Sequence, residues 1–129
     1  MAFLAVACSN SPEEQLKNLT GYWEIENVET PYGITKEYSI SQNIDYIEIK
    51  GTAGFRKKVQ ANLMGAFITS EAVERFTVRI EDDTVFLDYE TPFDSWSEEV
   101  LRATENKLEI KNKDNFTYTY NTYEPITLD

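Results

Sequence analysis

The chain has 129 residues, 41% hydrophobic, 13% aromatic and 27% charged, which suits one globular domain hiding about two-thirds of its unfolded surface. A formal charge of −11 repels phosphate backbones and anionic headgroups, so nucleic acid is excluded as a partner. There is no histidine and only one cysteine, which removes the usual neutral-pH general base and the commonest metal ligand.

The first stretch, Ala2 to Ala7, reads A-F-L-A-V-A and runs into Cys8. It is far too short to span a bilayer. Small residues just ahead of the cysteine suit a signal-peptidase cut, and "LAVAC" resembles the lipobox of bacterial lipoproteins. That resemblance implies a lipid attached to Cys8, residues 1–7 as the remnant of a signal peptide, and residues 8–12 as a tether. It also implies membrane association in the cell envelope, at the outer membrane and its surface. The basic n-region of a complete signal is missing here. The competing reading is a frayed N-terminal strand with a packed free thiol.

"CSNSPEE" also looks like the acidic export tag of surface lipoproteins in some Gram-negative bacteria. The same residues predict a helix start: Ser11 as N-cap, Pro12 in the first turn, and Glu14 closing a capping box. Both readings hold together, because acids favour a helix N-terminus. The helix is expected to end near Asn18, with Leu16 and Leu19 packing beneath the fold.

After Thr20 the period becomes two, the signature of half-buried strands. Trp23 and Ile25 share a face, as do Ile47 and Ile49. Further along, Phe76, Val78 and Ile80 alternate, then Val85, Leu87 and Tyr89, then Leu108 and Ile110. In "FRKKVQANL" the expected inner face is Phe55, Val59, Ala61 and Leu63, with Arg56, Lys58, Gln60 and Asn62 outside. Phe116, Tyr118 and Tyr120 alternate with Thr117 and Thr119. "SWSEEVLRA" is the least clear strand, after a looser loop at Thr91 to Ser95.

Short turn-forming clusters at 51–54, 81–83, 104–106 and 113–115 connect these strands. No helical pattern separates them, so the expected fold is all-β. It is an antiparallel up-and-down barrel of about eight strands over residues 13–129, with a short N-terminal helix.

A short helix followed by Gly21-Tyr22-Trp23 at the opening of the first strand resembles the N-terminal signature of lipocalins. The resemblance extends from Leu16 to Pro125, and is narrower to small lipocalin-like lipoproteins of Gram-negative bacteria. It implies that Gly21 permits a tight entry and that Trp23 plugs the closed end of the barrel. Lipocalins usually stack an arginine over that tryptophan; here the last strand carries Asn121, and Arg102 is the nearest arginine before it.

No motif for an activated nucleophile is present. Glu98 and Glu99 are neighbours on a strand and point to opposite faces, so they cannot flank one bond. Glu81-Asp82-Asp83 reads as a solvated turn rather than a calcium loop. No catalytic residue, metal or cofactor is expected, and the chain reads as a non-enzyme.

Two binding roles remain. One is a carrier of a small apolar or amphipathic ligand inside the barrel, with Phe55, Phe76, Trp96, Phe116, Tyr118 and Tyr120 as lining candidates. The other is a structural or adhesive envelope protein, or an assembly subunit, in which the same rings simply fill the interior. An interior void of a few hundred Å³ separates the two.

Overall fold

A computed structural model of the chain describes residues 11–38, 43–62, 65–68 and 73–123. Cys8, the signal remnant, most of the tether and Leu63 lie outside the described residues.

Helix α1 spans Pro12–Leu19 and starts as its residues dictate. The Ser11 side chain accepts from the Glu14 backbone N–H, and the Glu14 carboxylate accepts from the Ser11 N–H, both at 3.3 Å. Together they satisfy two of the amide donors that a helix start leaves open. Leu19 is fully buried, and Leu16 packs against the core.

Ten strands follow among the described residues: β1 Gly21–Glu29, β2 Thr35–Glu37, β3 Asn43–Lys50, β4 Ala53–Asn62, β5 Gly65–Ile68, β6 Glu74–Glu81, β7 Thr84–Glu90, β8 Ser95–Ala103, β9 Lys107–Lys111 and β10 Thr117–Thr122. Eight of them close an antiparallel ring, β1-β3-β4-β6-β7-β8-β9-β10, sealed by β10 pairing with β1. β2 and β5 are short extras. β2 continues along β1 where β3 leaves it, and β5 continues along β4 where β6 leaves it. Closure removes the unpaired edges that an open sheet would expose.

Because the ring alternates in direction, its two ends differ. α1 and the turns at 51–52, 82–83 and 104–106 lie at one end, and the β1–β2, β7–β8 and β9–β10 connections lie at the other. Asp82 and Asp83 both take left-handed backbone angles, φ 54° and 62°, as a two-residue hairpin turn matched to strand twist requires. At the opposite end the Asn112 side chain accepts from the N–H groups of Asp114 and Phe116, which fixes the β9–β10 turn.

The core comprises Leu19, Trp23, Ile47, Phe76, Val78, Val85, Leu87, Tyr89, Val100, Ala103, Leu108, Ile110 and Tyr120. The alternation predicted for β1, β3, β7, β9 and β10 is present; in β6 it holds for Phe76 and Val78, while Ile80 is 47% exposed at the strand's end. β8 is a full strand carrying a bulge between Val100 and Arg102, so Val100 and Ala103 are both buried although three residues apart.

β4 is inverted with respect to the expectation. Arg56 and Lys58 project inward, onto Asp45. Phe55 lies on the outer face, its ring 6.1 Å from Tyr46, which in turn lies 4.8 Å from Tyr22. Val59 is buried on that same outer face, paired in register with the fully buried Ile44 outside the main core. Phe55 is thus removed from the set of interior residues. The inversion has a physical cause: the buried Asp45 carboxylate on β3 and the half-buried Glu98 carboxylate on β8 compensate the inward cations.

Candidate functional site: a charged cavity inside the barrel

The closed end is built around Trp23. Its indole N–H donates to the Leu19 carbonyl at 2.9 Å, capping one of the acceptors that the last turn of α1 leaves unpaired. Asn18 donates to the Ala103 carbonyl at 3.0 Å and ties the helix to β8. Gly21 sits at φ 147°, a conformation that side-chain-bearing residues rarely adopt, which explains a glycine at the strand's entry. Trp23 pairs in register with Thr122 and Glu24 with Asn121, while Arg102 is exposed. The floor is held by a backbone hydrogen bond from the indole; among the described residues no arginine stacks on Trp23.

Above the floor, Arg56 crosses the interior from β4. Its Nε and Nη2 donate to Asp45 Oδ2 on β3 at 3.1 and 2.7 Å. Nη1 donates to the Tyr89 hydroxyl on β7 at 3.3 Å and to Glu98 Oε1 on β8 at 3.1 Å. Nη2 also donates to the Tyr120 hydroxyl on β10 at 2.7 Å. One guanidinium therefore links five of the eight ring strands. Lys58 adds an ion pair to the other oxygen of Asp45 at 2.7 Å.

The protonation states follow from these contacts. Burial pushes the Asp45 carboxyl up, but the charges and hydrogen bonds of Arg56 and Lys58 outweigh it and hold the group below the usual carboxylate value. Burial pushes Arg56 down, and the ring of Tyr120, Tyr89, Asp45 and Glu98 reverses that, raising it well above its ordinary value. Tyr120 is pushed up to about 12 by burial, against the opposing pull of Arg56. At neutral pH Asp45 is therefore a carboxylate, Arg56 a cation, and Tyr89 and Tyr120 neutral phenols.

A cavity of about 380 Å³ opens beside this cluster, towards the end that carries the β7–β8 and β9–β10 connections. Asp45, Arg56, Lys58 and Glu98 form its charged side. Trp96, Ile110, Tyr118 and Tyr120 form its flat and apolar side, with Lys57, Glu74 and Asn112 as the remaining residues around it. A second space of about 260 Å³ shares Asp45, Lys58, Tyr118 and Tyr120 and extends to Trp23, Ile25, Val28 and Tyr38. Trp96 is held in place by stacking parallel on Tyr89, its directly opposite partner in the sheet, at 5.2 Å between ring centroids. The larger volume lies within the range of small-molecule sites.

Of the aromatic candidates, Trp96, Tyr118 and Tyr120 meet at this cavity. Phe76 is buried nearby, edge-on to Tyr89 at 5.3 Å, and lines a separate surface groove rather than this cavity. Phe116 is half-buried at the β9–β10 turn, away from the cavity lining. Glu98 and Glu99 do point to opposite faces, Glu98 to Arg56 and Glu99 towards Lys111. The polar half of the site was missed, yet it left a signal. Asp45 has the parity of Ile47 and Ile49, and Glu98 that of Trp96 and Val100; acids on a core face require an inward cation.

Among the described residues, no group of three or more Cys, Asp or Glu side chains is gathered for a metal ion, and no helix is long and apolar enough to cross a membrane.

Two solved structures share this architecture. A lipocalin-like protein from Bacteroides uniformis ATCC 8492 aligns with a TM-score of 0.51 at 7% identity, over 82% of this chain and 99% of its own. An uncharacterized protein from Bacteroides eggerthii DSM 20697 aligns with a TM-score of 0.51 at 11% identity, over 81% of this chain and 99% of its own. At such identities the likeness is one of fold. No curated protein sequence matches the chain significantly. The sequence model of the lipocalin-like domain matches residues 19–110, from the last residue of α1 into β9, and the chain belongs to that lipocalin-like family.

Proposed function

We propose that the protein is a non-catalytic lipoprotein of the cell envelope that binds a small amphipathic molecule inside its barrel. The observation that carries this reading is the 380 Å³ cavity, with an aromatic and apolar side at Trp96, Ile110 and Tyr118 facing a charged side at Asp45, Arg56 and Glu98. Such a site accepts a molecule with an apolar body and a polar head, and excludes water from the body. A lipid on Cys8 would attach three residues before Ser11, within about 10 Å of the start of α1 at full extension. That arrangement holds the helix end of the barrel near the membrane and leaves the cavity mouth facing away.

The second reading is an envelope subunit or adhesive module without a small ligand. It is favoured by Tyr32, Ile34 and Phe93, which are 87%, 66% and 96% exposed on the connections around the open end. A thermal-shift screen of amphiphiles, flat aromatics and oligosaccharides separates the two, because a ligand that binds only the folded state raises the melting temperature. A shift that Tyr118→Ala abolishes supports the carrier. An unmoved transition across the whole set overturns it. The anchor is tested apart from the ligand, by intact-mass analysis of protein from its natural host: a chain retaining Met1 to Ala7 with a free Cys8 thiol contradicts it.

A further inference from the structure

The proposed carrier has an arginine and two phenols in its interior, an arrangement that would ordinarily suggest a grip for a ligand carboxylate. Arg56 is unavailable for that role. A guanidinium has five N–H donors. All five are spent on the protein's own Asp45, Glu98, Tyr89 and Tyr120, at 2.7 to 3.3 Å. An incoming carboxylate would have to displace Asp45 or Glu98 from the guanidinium and leave that acid without its arginine partner in the interior, which is costly.

The rest of the cavity points the same way. Lys58 is held by Asp45 at 2.7 Å, so Asp45 and Glu98 balance Arg56 and Lys58. Lys57 also borders the cavity, but its ammonium is turned to the outer face of β4, 5.0 Å from the centre of the Phe55 ring. Glu74 forms no ion pair among the described residues, so the spare charge around the cavity is negative. Trp96 and Tyr118 add aromatic surface, which attracts cations through the ring quadrupole. The whole chain, at −11, draws cations towards it and repels anions.

We infer that the cavity selects by charge: its ligand is an amphiphile with an ammonium or amine head, and fatty-acid carboxylates are refused. This rests on the carrier reading above, and the test keeps the two apart. Three probes share one alkyl chain and differ only in the head: dodecyltrimethylammonium, dodecyl maltoside and dodecanoate. Each is titrated at neutral pH and low salt, below its micelle-forming concentration, into the full chain and followed by tryptophan fluorescence and calorimetry.

The trimethylammonium probe is expected to bind at least about tenfold more tightly than dodecanoate, with the maltoside between them. Glu74→Gln, at an exposed position, should narrow the cation's advantage by about two- to fivefold without altering the fold. Dodecanoate or the maltoside binding as tightly as the cation would overturn charge selection and leave the carrier standing. Silence of all three probes would overturn both.

Discussion

Asp45 on β3 and Arg56 on β4 meet inside the barrel through two hydrogen bonds, 2.7 and 3.1 Å long, with Asp45 only 3% exposed. This pair is the centre of a cluster that also holds Lys58, Glu98, Tyr89 and Tyr120. Removing one partner leaves a buried charge without compensation. Arg56→Met should therefore cost about 3–5 kcal/mol. Replacing Arg56, Asp45 and Glu98 together by apolar residues of similar volume should cost much less than that single change. Chemical denaturation of the single and triple variants decides this, and a single variant as stable as the native protein would remove the cluster's structural role.

Stability should fall at both ends of the pH scale, for opposite reasons. The folded value of Asp45 lies below its unfolded one. Its contribution is present above the ordinary carboxylate value of 3.8 and is lost as pH falls through the depressed folded value. Tyr120 is raised from 10.0 to about 12, so its contribution is intact below pH 10 and disappears as pH climbs to about 12. Tyr46, raised to about 12 chiefly by its hydrogen bond to Glu48, adds to the alkaline limb. Denaturation midpoints measured across pH should form a dome. Asp45→Asn should flatten its acid side, and Tyr120→Phe should reduce but not abolish its alkaline side.

The floor of the barrel was legible from the chain, and so were the helix, the closed antiparallel topology and most of the strand faces. Ser11, Pro12 and Glu14 spell a capping box locally, and period-two alternation survives wherever one face is wet and the other dry. The misreadings share a cause: they fall where the core face carries charge or where the period slips. At β4, Arg56 and Lys58 look like solvent residues until the β3 and β8 carboxylates are brought opposite them, and those contacts are 11 and 42 residues away. At β8, the bulge after Val100 moves the buried position on by one residue, and no local residue announces it.

Trp23 joins helix to barrel in two ways, by burial and by its hydrogen bond to Leu19. Trp23→Ala should lose about 3–5 kcal/mol through the cavity it leaves. Trp23→Phe keeps most of the packing and leaves the Leu19 carbonyl without its donor, so a loss of about 1–3 kcal/mol is expected. Equal midpoints for Trp23→Phe and the native chain would show that the hydrogen bond contributes nothing.

Gly54 is needed for a different reason from Gly21. A Cβ at Gly54 would lie 2.6 Å from the Glu48 carbonyl oxygen and 2.6 Å from the Phe76 ring, its cross-strand neighbour. The backbone oxygen cannot swing aside as a side chain would. Gly54→Ala should destabilise the fold by about 1–3 kcal/mol through this overpacking, and an unchanged melting temperature would contradict the close approach of β3, β4 and β6.

The claim that the barrel interior is a binding site is tested most directly through the two tryptophans, the only two in the chain. Trp96 borders the 380 Å³ cavity, whereas the Trp23 indole N–H is engaged by the Leu19 carbonyl at the floor. In a nitrogen–proton correlation spectrum each gives one indole signal, assigned by Trp96→Phe and Trp23→Phe. Titration with dodecyltrimethylammonium should move the Trp96 signal in a saturable manner, together with backbone signals of Tyr118 and Tyr120, and leave the Trp23 signal in place. A Trp96 signal that stays fixed while the probe is added to saturation, or one that moves no further than signals on the outer face around Phe55, would contradict an interior binding site.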